Sequence, residues 1–425
     1  MLEQTTPQLA PKERCTGCGA CANGCPRGAI HMLPDREGFL YPTVTDACIQ
    51  CGHCSHICPV RKQREPRPEP AVFAAWNTDE AVRRASTAGG VFSTLADYIL
   101  ESGGVVFGAA TDEQLHVRHI AVHSAEELPR LRGTKPVQSE IGDCYQKVRY
   151  YLDRGRRVLF SGTPCQVDGL YRYLGEHPEN LLTCDVLCSG AASPGVWAHL
   201  LQTMAYIKQH EPLSVQFFGK LPGERERRFH VAFQGGGVYD APIGRSDFGR
   251  GLLRGLFLRP ACHACPYVTA DRPGDLTLGL FHGLPKDFYP EEQKRGVSLL
   301  LVNSPKGAHV FDTLPLKREL RTLDEAVAGN PALRSVTCIP AERSAFFEAF
   351  VHQPFHQVQH RFLAASRPRV APAKKAGSKR GLLQRLLRRK KLSACQRPCA
   401  RVTLQRLQFL ACIALHRGER CKKAI

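Results

Sequence analysis

The sequence predicts an α+β protein in three parts: a small cysteine-rich N-terminal domain, an α/β body with a mixed sheet, and a basic C-terminal tail. Three observations predict it. One cysteine spacing occurs twice within the first 60 residues. Apolar runs of strand length alternate with helix-like stretches from 71 to 363, and positive charge gathers at the C-terminal end. A chain of 425 residues is long enough for two or three domains.

The N-terminal part is residues 1–60. Cys15-x2-Cys18-x2-Cys21-x3-Cys25-Pro26 returns 33 residues later as Cys48-x2-Cys51-x2-Cys54-x3-Cys58-Pro59. Each copy has the bacterial ferredoxin spacing. Three thiolates of a run face one 4Fe-4S cubane, and the fourth crosses to the other cluster. The expected ligand sets are Cys15, Cys18, Cys21 and Cys58 for one cluster, and Cys48, Cys51, Cys54 and Cys25 for the second. Gly17, Gly19, Gly24 and Gly52 let the backbone curl so that its N–H groups point at sulfur. A zinc module of separated CxxC knuckles is the alternative, and the doubled run does not have that spacing. His53 and His56 lie inside the second loop and read as exposed spacers.

Residues 61–70, RKQREPRPEP, read as a linker: three prolines, charges of both signs and no large apolar residue. The body follows from 71 to 363, with a break expected near 155–180. Strands are predicted at 105–110, 158–162, 181–188, 213–218, 229–233, 275–281 and 297–303. Helices are predicted at 91–101, 139–153, 166–174, 194–208 and 305–314. The alternation argues for an α/β body with some antiparallel pairing in its second half.

The tail, 364–425, is partly disordered by composition. The net charge of +19 belongs to it: residues 361–425 carry 19 Lys/Arg and one acid, Glu419. The other 360 residues are near neutral, so a nucleic-acid-binding body is not indicated. GLLQRLLRRKKL (381–392) has the pattern of a short basic amphipathic helix suited to an acidic membrane surface. No run of 18 apolar residues is present, and the N-terminus lacks the apolar core of a secretory signal. The expected location is therefore cytoplasmic, with peripheral contact at the inner membrane surface through the tail. Nineteen cysteines in that compartment point to metal and redox chemistry rather than to disulfides.

Several strings in the body carry a resemblance. They are Ser86-Thr-Ala-Gly-Gly-Val-Phe92, Leu131-Arg-Gly-Thr-Lys-Pro-Val-Gln-Ser139, Phe160-Ser-Gly-Thr-Pro-Cys-Gln166, Val186-Leu-Cys-Ser-Gly190, Leu258-Arg-Pro-Ala-Cys-His-Ala-Cys-Pro266 and Arg272-Pro-Gly-Asp-Leu-Thr-Leu-Gly279. In order and spacing the chain resembles the family of coenzyme F420 hydrogenase/dehydrogenase beta subunits, in the form that starts with a two-cluster ferredoxin domain. The resemblance spans about residues 12–350. It implies a flavin, usually FAD, and a further 4Fe-4S cluster in the body.

For that third cluster the expected ligands are Cys165, Cys188, Cys262 and Cys265. The first two follow strand ends, where sites form in α/β sheets, and the others make a CxxC knuckle. Cys144, Cys184 and Cys338 read as packing residues. For the flavin, the expected residues are Ser86, Thr87, Gly89, Gly90, Lys135 and Gln138. The small residues open a helix whose start would hold phosphate, and the lysine would add charge.

Two departures stand out. The family's usual Cys-His-Gly is Cys188-Ser189-Gly190 here, and its Gly-Asp-Phe-Trp-Gly is Gly279-Leu280-Phe281-His282-Gly283. The expected function is electron transfer by a flavo-iron–sulfur oxidoreductase between a redox partner protein and a small-molecule substrate, deazaflavin-like or a glycan precursor. The alternative is a non-catalytic iron–sulfur carrier or adaptor whose body has lost its active face at Ser189, Leu280 and His282.

Overall fold

The structure, a computed structural model, describes residues 7–62, 64–219 and 226–364. The chain divides at residue 365, and Met1–Ala365 is one compact unit. The basic tail from 365 on, including the helix expected at 381–392, lies outside the described residues.

In the N-terminal part the sequence repeat becomes a backbone repeat. Short helices α1 (Ala20–Asn23) and α2 (His53–His56) each follow a left-handed glycine, Gly19 at φ 78° and Gly52 at φ 70°. Two residues earlier, Gly17 and Gln50 are also left-handed. Between the two runs, β1 (Ile30–Pro34) and β2 (Leu40–Val44) form an antiparallel hairpin.

The body holds β3 (Ala71–Trp76), β4 (Val105–Thr111), β5 (Val117–Val122), β6 (Val158–Gly162) and β7 (Leu181–Val186). A separate antiparallel sheet joins β8 (Pro212–Gly219), β9 (Arg228–Phe233) and β10 (Val238–Pro242). Then come β11 (Leu276–Leu280), β12 (Ser298–Val302) and β13 (Lys317–Arg321). The main sheet has eight strands in the order β13-β3-β12-β11-β7-β6-β4-β5. β4, β6, β7 and β11 run parallel, while β12, β3, β13 and β5 pair antiparallel. The mixed sheet expected from the alternation is present, and β6, inside the segment of the expected break, lies beside β7, just after it.

Both faces of the sheet are buried because its side chains alternate between two cores. Val106, Leu159 and Leu182 face α4 (Val91–Glu101, after α3, Glu80–Arg84). Val105, Phe107, Val158 and Phe160 face α5 (Cys144–Leu152) and α6 (Pro164–Leu174). Helix α6 starts abruptly: Pro164 takes its first position, and the Gln166 side chain accepts from the Thr163 N–H at 2.9 Å. The small sheet covers α7 (Pro194–Lys208) through Trp197, Phe217 and Phe229.

The helix expected at 139–153 begins only at Cys144. Glu140 is held at the sheet edge instead: its N–H donates to the Val117 carbonyl, and its carbonyl accepts from His119 N–H. Strand pairing therefore outcompetes helix propensity for 139–143. Cys144 and Cys184 are buried packing residues, while Cys338 is exposed.

The residues expected as a linker are fastened to the body. Arg67 donates to Gly274 O at 2.7 Å, and its N–H meets Asp271 Oδ1. The N-terminal module is likewise docked. Cys18 and Ala20 share a core with Ile141, Tyr145 and Val167, and Phe39 shares another with Trp197. Asn23 Nδ2 donates to Gly142 O at 2.8 Å, and Arg343 pairs with Glu37 at 2.6 Å.

Candidate iron–sulfur relay and anion site

The eight N-terminal cysteines sort into two cavities. Cys15, Cys18, Cys21 and Cys58 line one of about 380 Å3, counted with the solvent that enters it. Cys25, Cys48, Cys51 and Cys54 line the other, of about 330 Å3 on the same count. Each cavity thus takes three thiols from one run and one from the other. Backbone N–H groups point at the sulfurs: Ala29 N–H at Cys25 Sγ, 3.3 Å, and Gln50 N–H at Cys48 Sγ, 3.4 Å. Burial pushes the Cys21 thiol up to about 12, with Cys15 and Cys58 adding to it and Cys54 of the second set contributing further. Thiols that raise one another in this way are stable as thiolates only around a positive centre. A single zinc ion would draw its thiolates to about 2.3 Å from one point. The two sets and their cavities fit a larger group such as a cubane. His53 and His56 are exposed, as spacers would be.

The body brings Cys165, Cys188, Cys262 and Cys265 together. Cys165 opens α6 after β6, and Cys188 follows β7, both at the carboxyl edge of the parallel strands. Cys262 and Cys265 arrive on a short 3-10 turn. A bridge from Val137 to Ala192 and another from Ala192 to Leu258 bind these segments side by side. Burial pushes Cys165 up to about 12, and the neighbouring Cys265 and Cys188 add to it. Cys262 is raised by burial and then by Cys188, Cys165 and Cys265. The N–H groups of Gly190 and Ala191 point at Cys188 Sγ and Cys262 Sγ, both at 3.4 Å. This four-thiol set also fits a cubane.

A buried polar network fixes the strand ends beneath it. Asp185 on β7 accepts from Arg272 Nη2 at 2.8 Å and Nε at 3.0 Å, from Gly274 N–H and from Thr277 Oγ1. Asp275 accepts from Thr183 N–H and from the Thr183 and Tyr171 hydroxyls. Arg272 and Asp185 are fully buried and mutually compensated. Neither has a role predictable from spacing. The signal was present as an acid in an otherwise apolar strand, LLTCDV.

The inner ferredoxin set adjoins the body set. Cys165 and Gly169 lie one turn apart on α6 and so share a face. A Cβ built on Gly169 would meet Cys18 Sγ at 3.1 Å. Tyr145 Oη, fully buried, donates at 2.7 Å to Cys18 O and lies 2.8 Å from Gln166 O. The three thiol sets thus stand in series. Cys51 is exposed at one end, and the body set is half-buried at the other.

Helix α4 also starts at the carboxyl edge of the sheet. Gly90 caps it at φ 87°, and Gly89 N–H bonds Ser298 Oγ at 2.9 Å. A Cβ on Gly89 would come within 2.3 Å of Ala75 O, so this turn requires glycine. Cations gather here. Arg132 Nε bonds Ser93 in the first turn, and Arg227 Nη2 bonds Thr87 O. Arg227 Nη1 is buried without a partner among the described residues. Among the described residues Lys135 Nζ reaches only the carbonyls of Arg132 and Gly133, and burial brings its pKa down to about 8. The start of α4, a guanidinium nitrogen without a partner among the described residues and a lysine held by carbonyls make a setting that fits an anion such as a pyrophosphate.

Of the residues expected there, Ser86 turns its hydroxyl to Val82 O, and Thr87 contributes its carbonyl. Gln138 does not join the group. Its side chain lies between Thr16 O and Arg259 on the ferredoxin side. Arg227 escaped sequence reading because it follows a segment with no recognisable motif. Ser189 and His282 are exposed, and Leu280 is half-buried at the end of β11.

The fold and the thiol sets define an iron–sulfur electron-transfer protein. The comparisons agree. Residues 14–62 match the 4Fe-4S dicluster domain. Residues 72–144 match the N-terminal domain of the coenzyme F420 hydrogenase/dehydrogenase beta subunit, and 155–326 match its C-terminal domain. The chain belongs to this family of coenzyme F420 hydrogenase/dehydrogenase beta subunits, in a form with a dicluster domain at its N-terminal side.

Among its relatives is the F(420)H(2) dehydrogenase F subunit (Methanosarcina mazei), 25% identical over 268 residues, which cover 59% of this chain and 71% of that one. An uncharacterized ferredoxin of Methanocaldococcus jannaschii is 33% identical over 51 residues, covering 12% of this chain and 66% of that one. A chain of the F420-reducing [NiFe] hydrogenase complex from Methanosarcina barkeri aligns with a TM-score of 0.41 at 18% identity, over 72% of this chain and 97% of that one. Among the described residues no helix is long and apolar enough to cross a membrane.

Proposed function

We propose that the protein is a flavo-iron–sulfur oxidoreductase that exchanges electrons between a redox partner protein and a small-molecule substrate, deazaflavin-like or a glycan precursor. The observation that carries this reading is the series of three thiol sets, the last of them at the carboxyl edge of the sheet where α4 also starts. Cys48, Cys51, Cys54 and Cys25 would hold the outer 4Fe-4S group. Cys15, Cys18, Cys21 and Cys58 would hold the inner one, and Cys165, Cys188, Cys262 and Cys265 a third. Gly89, Gly90, Lys135 and Arg227 would hold the phosphates of FAD. A bound flavin accepts two electrons as hydride and exchanges them singly with iron–sulfur groups. Tyr145 and α6 hold the inner set against the helix that carries Cys165. The Asp185–Arg272 pair holds the strand ends that present Cys188.

The experiment is anaerobic reconstitution of the full chain. About twelve iron atoms per chain, on three cubanes, with bound flavin that bleaches under dithionite is the expected result. About eight iron atoms and no flavin would favour the second reading, a non-catalytic carrier, which the changes at Ser189, Leu280 and His282 support. Residues 381–392 extend the proposal to an acidic membrane surface. Co-sedimentation with anionic vesicles, lost on truncation at Ser366, tests that contact.

A further inference from the structure

Arg259 is 1% exposed, and among the described residues no carboxylate pairs with it. Every contact of its guanidinium is directed at the ferredoxin module or at its boundary with the body. Nε donates to Cys15 O at 2.6 Å, Nη2 to Leu40 O at 3.1 Å, and Nη1 to Gln138 Oε1 at 2.8 Å. Nη2 also points at Cys15 Sγ, 3.6 Å away. The Tyr41 ring stacks beneath it at 4.0 Å. Its own backbone belongs to the body set, since Cys262 N–H donates to Arg259 O. A buried guanidinium without a carboxylate needs another anion, and the one at hand is the inner thiolate set. The outer set differs: Arg27 lines its cavity, but among the described residues no guanidinium or ammonium bonds its sulfurs.

We propose that Arg259 is a positioning residue that raises the reduction potential of the group held by Cys15, Cys18, Cys21 and Cys58. A cation bonded to a ligand sulfur in a low-dielectric site stabilises the reduced, more negative state of that group. Gln138 acts through Arg259, fixing the fork so that Nη2 faces sulfur. The proposal rests on the reading that these cysteines hold a 4Fe-4S group.

An EPR-monitored redox titration of the reconstituted full chain tests it, with iron counted in every sample. The outer signal is assigned by its loss in Cys48→Ala/Cys51→Ala. In Arg259→Gln the inner signal is expected to move to lower potential while the outer signal stays. Arg259→Lys, a point charge that cannot fork to sulfur and carbonyls together, moves less. Gln138→Glu keeps the guanidinium but neutralises it, and also lowers the inner potential. This variant and Arg259→Lys carry the test if Arg259→Gln loses iron. An inner signal that holds its potential in the iron-replete variants overturns the proposal, as does an equal shift of both signals. Absence of any cluster signal in the unaltered chain overturns the cluster reading instead.

Discussion

Gly169 on α6 lies directly against Cys18, where an added Cβ would stand 3.0 Å from Cys18 Cβ and 3.1 Å from its sulfur. Helix and ferredoxin loop meet there with no room for a side chain. Gly169→Ala should cost about 1–3 kcal/mol, since overpacking at a rigid contact cannot relax. It should also reduce the iron held at the inner set. Urea unfolding with iron analysis measures both, and unchanged stability and iron would refute the contact's importance.

The Asp185–Arg272 pair predicts a larger effect. Asp185→Asn leaves a fully buried guanidinium uncompensated, which should cost about 3–5 kcal/mol. The double variant Asp185→Asn/Arg272→Met should lose less than the two single changes together, because no unpaired charge remains. Equilibrium unfolding of the three variants completes the cycle.

Lys135 and Arg227 predict flavin affinity. Lys135→Gln and Arg227→Gln each remove one charged donor from the start of α4. Each should weaken flavin binding by about tenfold to a hundredfold, as loss of a charge-assisted hydrogen bond does. Fluorescence titration of the deflavinated chain measures it. Gln138→Leu should leave that affinity unchanged, since Gln138 faces Thr16 and Arg259.

His119 predicts a pH dependence. Burial holds its pKa down to about 4 from 6.5, between Ser139 Oγ and Ser161 O. The unfolded chain therefore binds a proton that the folded chain refuses. The stabilisation is complete above pH 6.5 and is lost as pH falls toward 4, by roughly 3 kcal/mol. His119→Asn should flatten the stability profile across that window, measured by urea midpoints. A slope equal to that of the parent chain would contradict the assignment.

Much of the architecture was legible because local pattern and global fold agree. The doubled cysteine run sets where left-handed glycines must fall, and Gly19 and Gly52 fall there. Strands such as VLFSG are apolar on both faces because both faces are covered. Other elements were hidden for physical reasons. β13, KRELR, is charged because it is an edge strand that pairs with β3 through its backbone. Residues 139–143 look helical but are held by β5. Gln138 sits in a string suggestive of phosphate binding, yet its partner is Arg259, more than 100 residues away in sequence. Long-range polar pairs of this kind leave no periodic trace, so the partners of Arg259, Arg227 and Asp185 emerged only from the folded chain.

A relay of three four-thiol sets requires iron at each of them, so iron content decides whether it exists. Anaerobically reconstituted protein should hold about twelve iron atoms per chain, falling to about eight in Cys262→Ala/Cys265→Ala. An unaltered chain that saturates at about eight, with no loss in that variant, would rule out a cluster on Cys165, Cys188, Cys262 and Cys265.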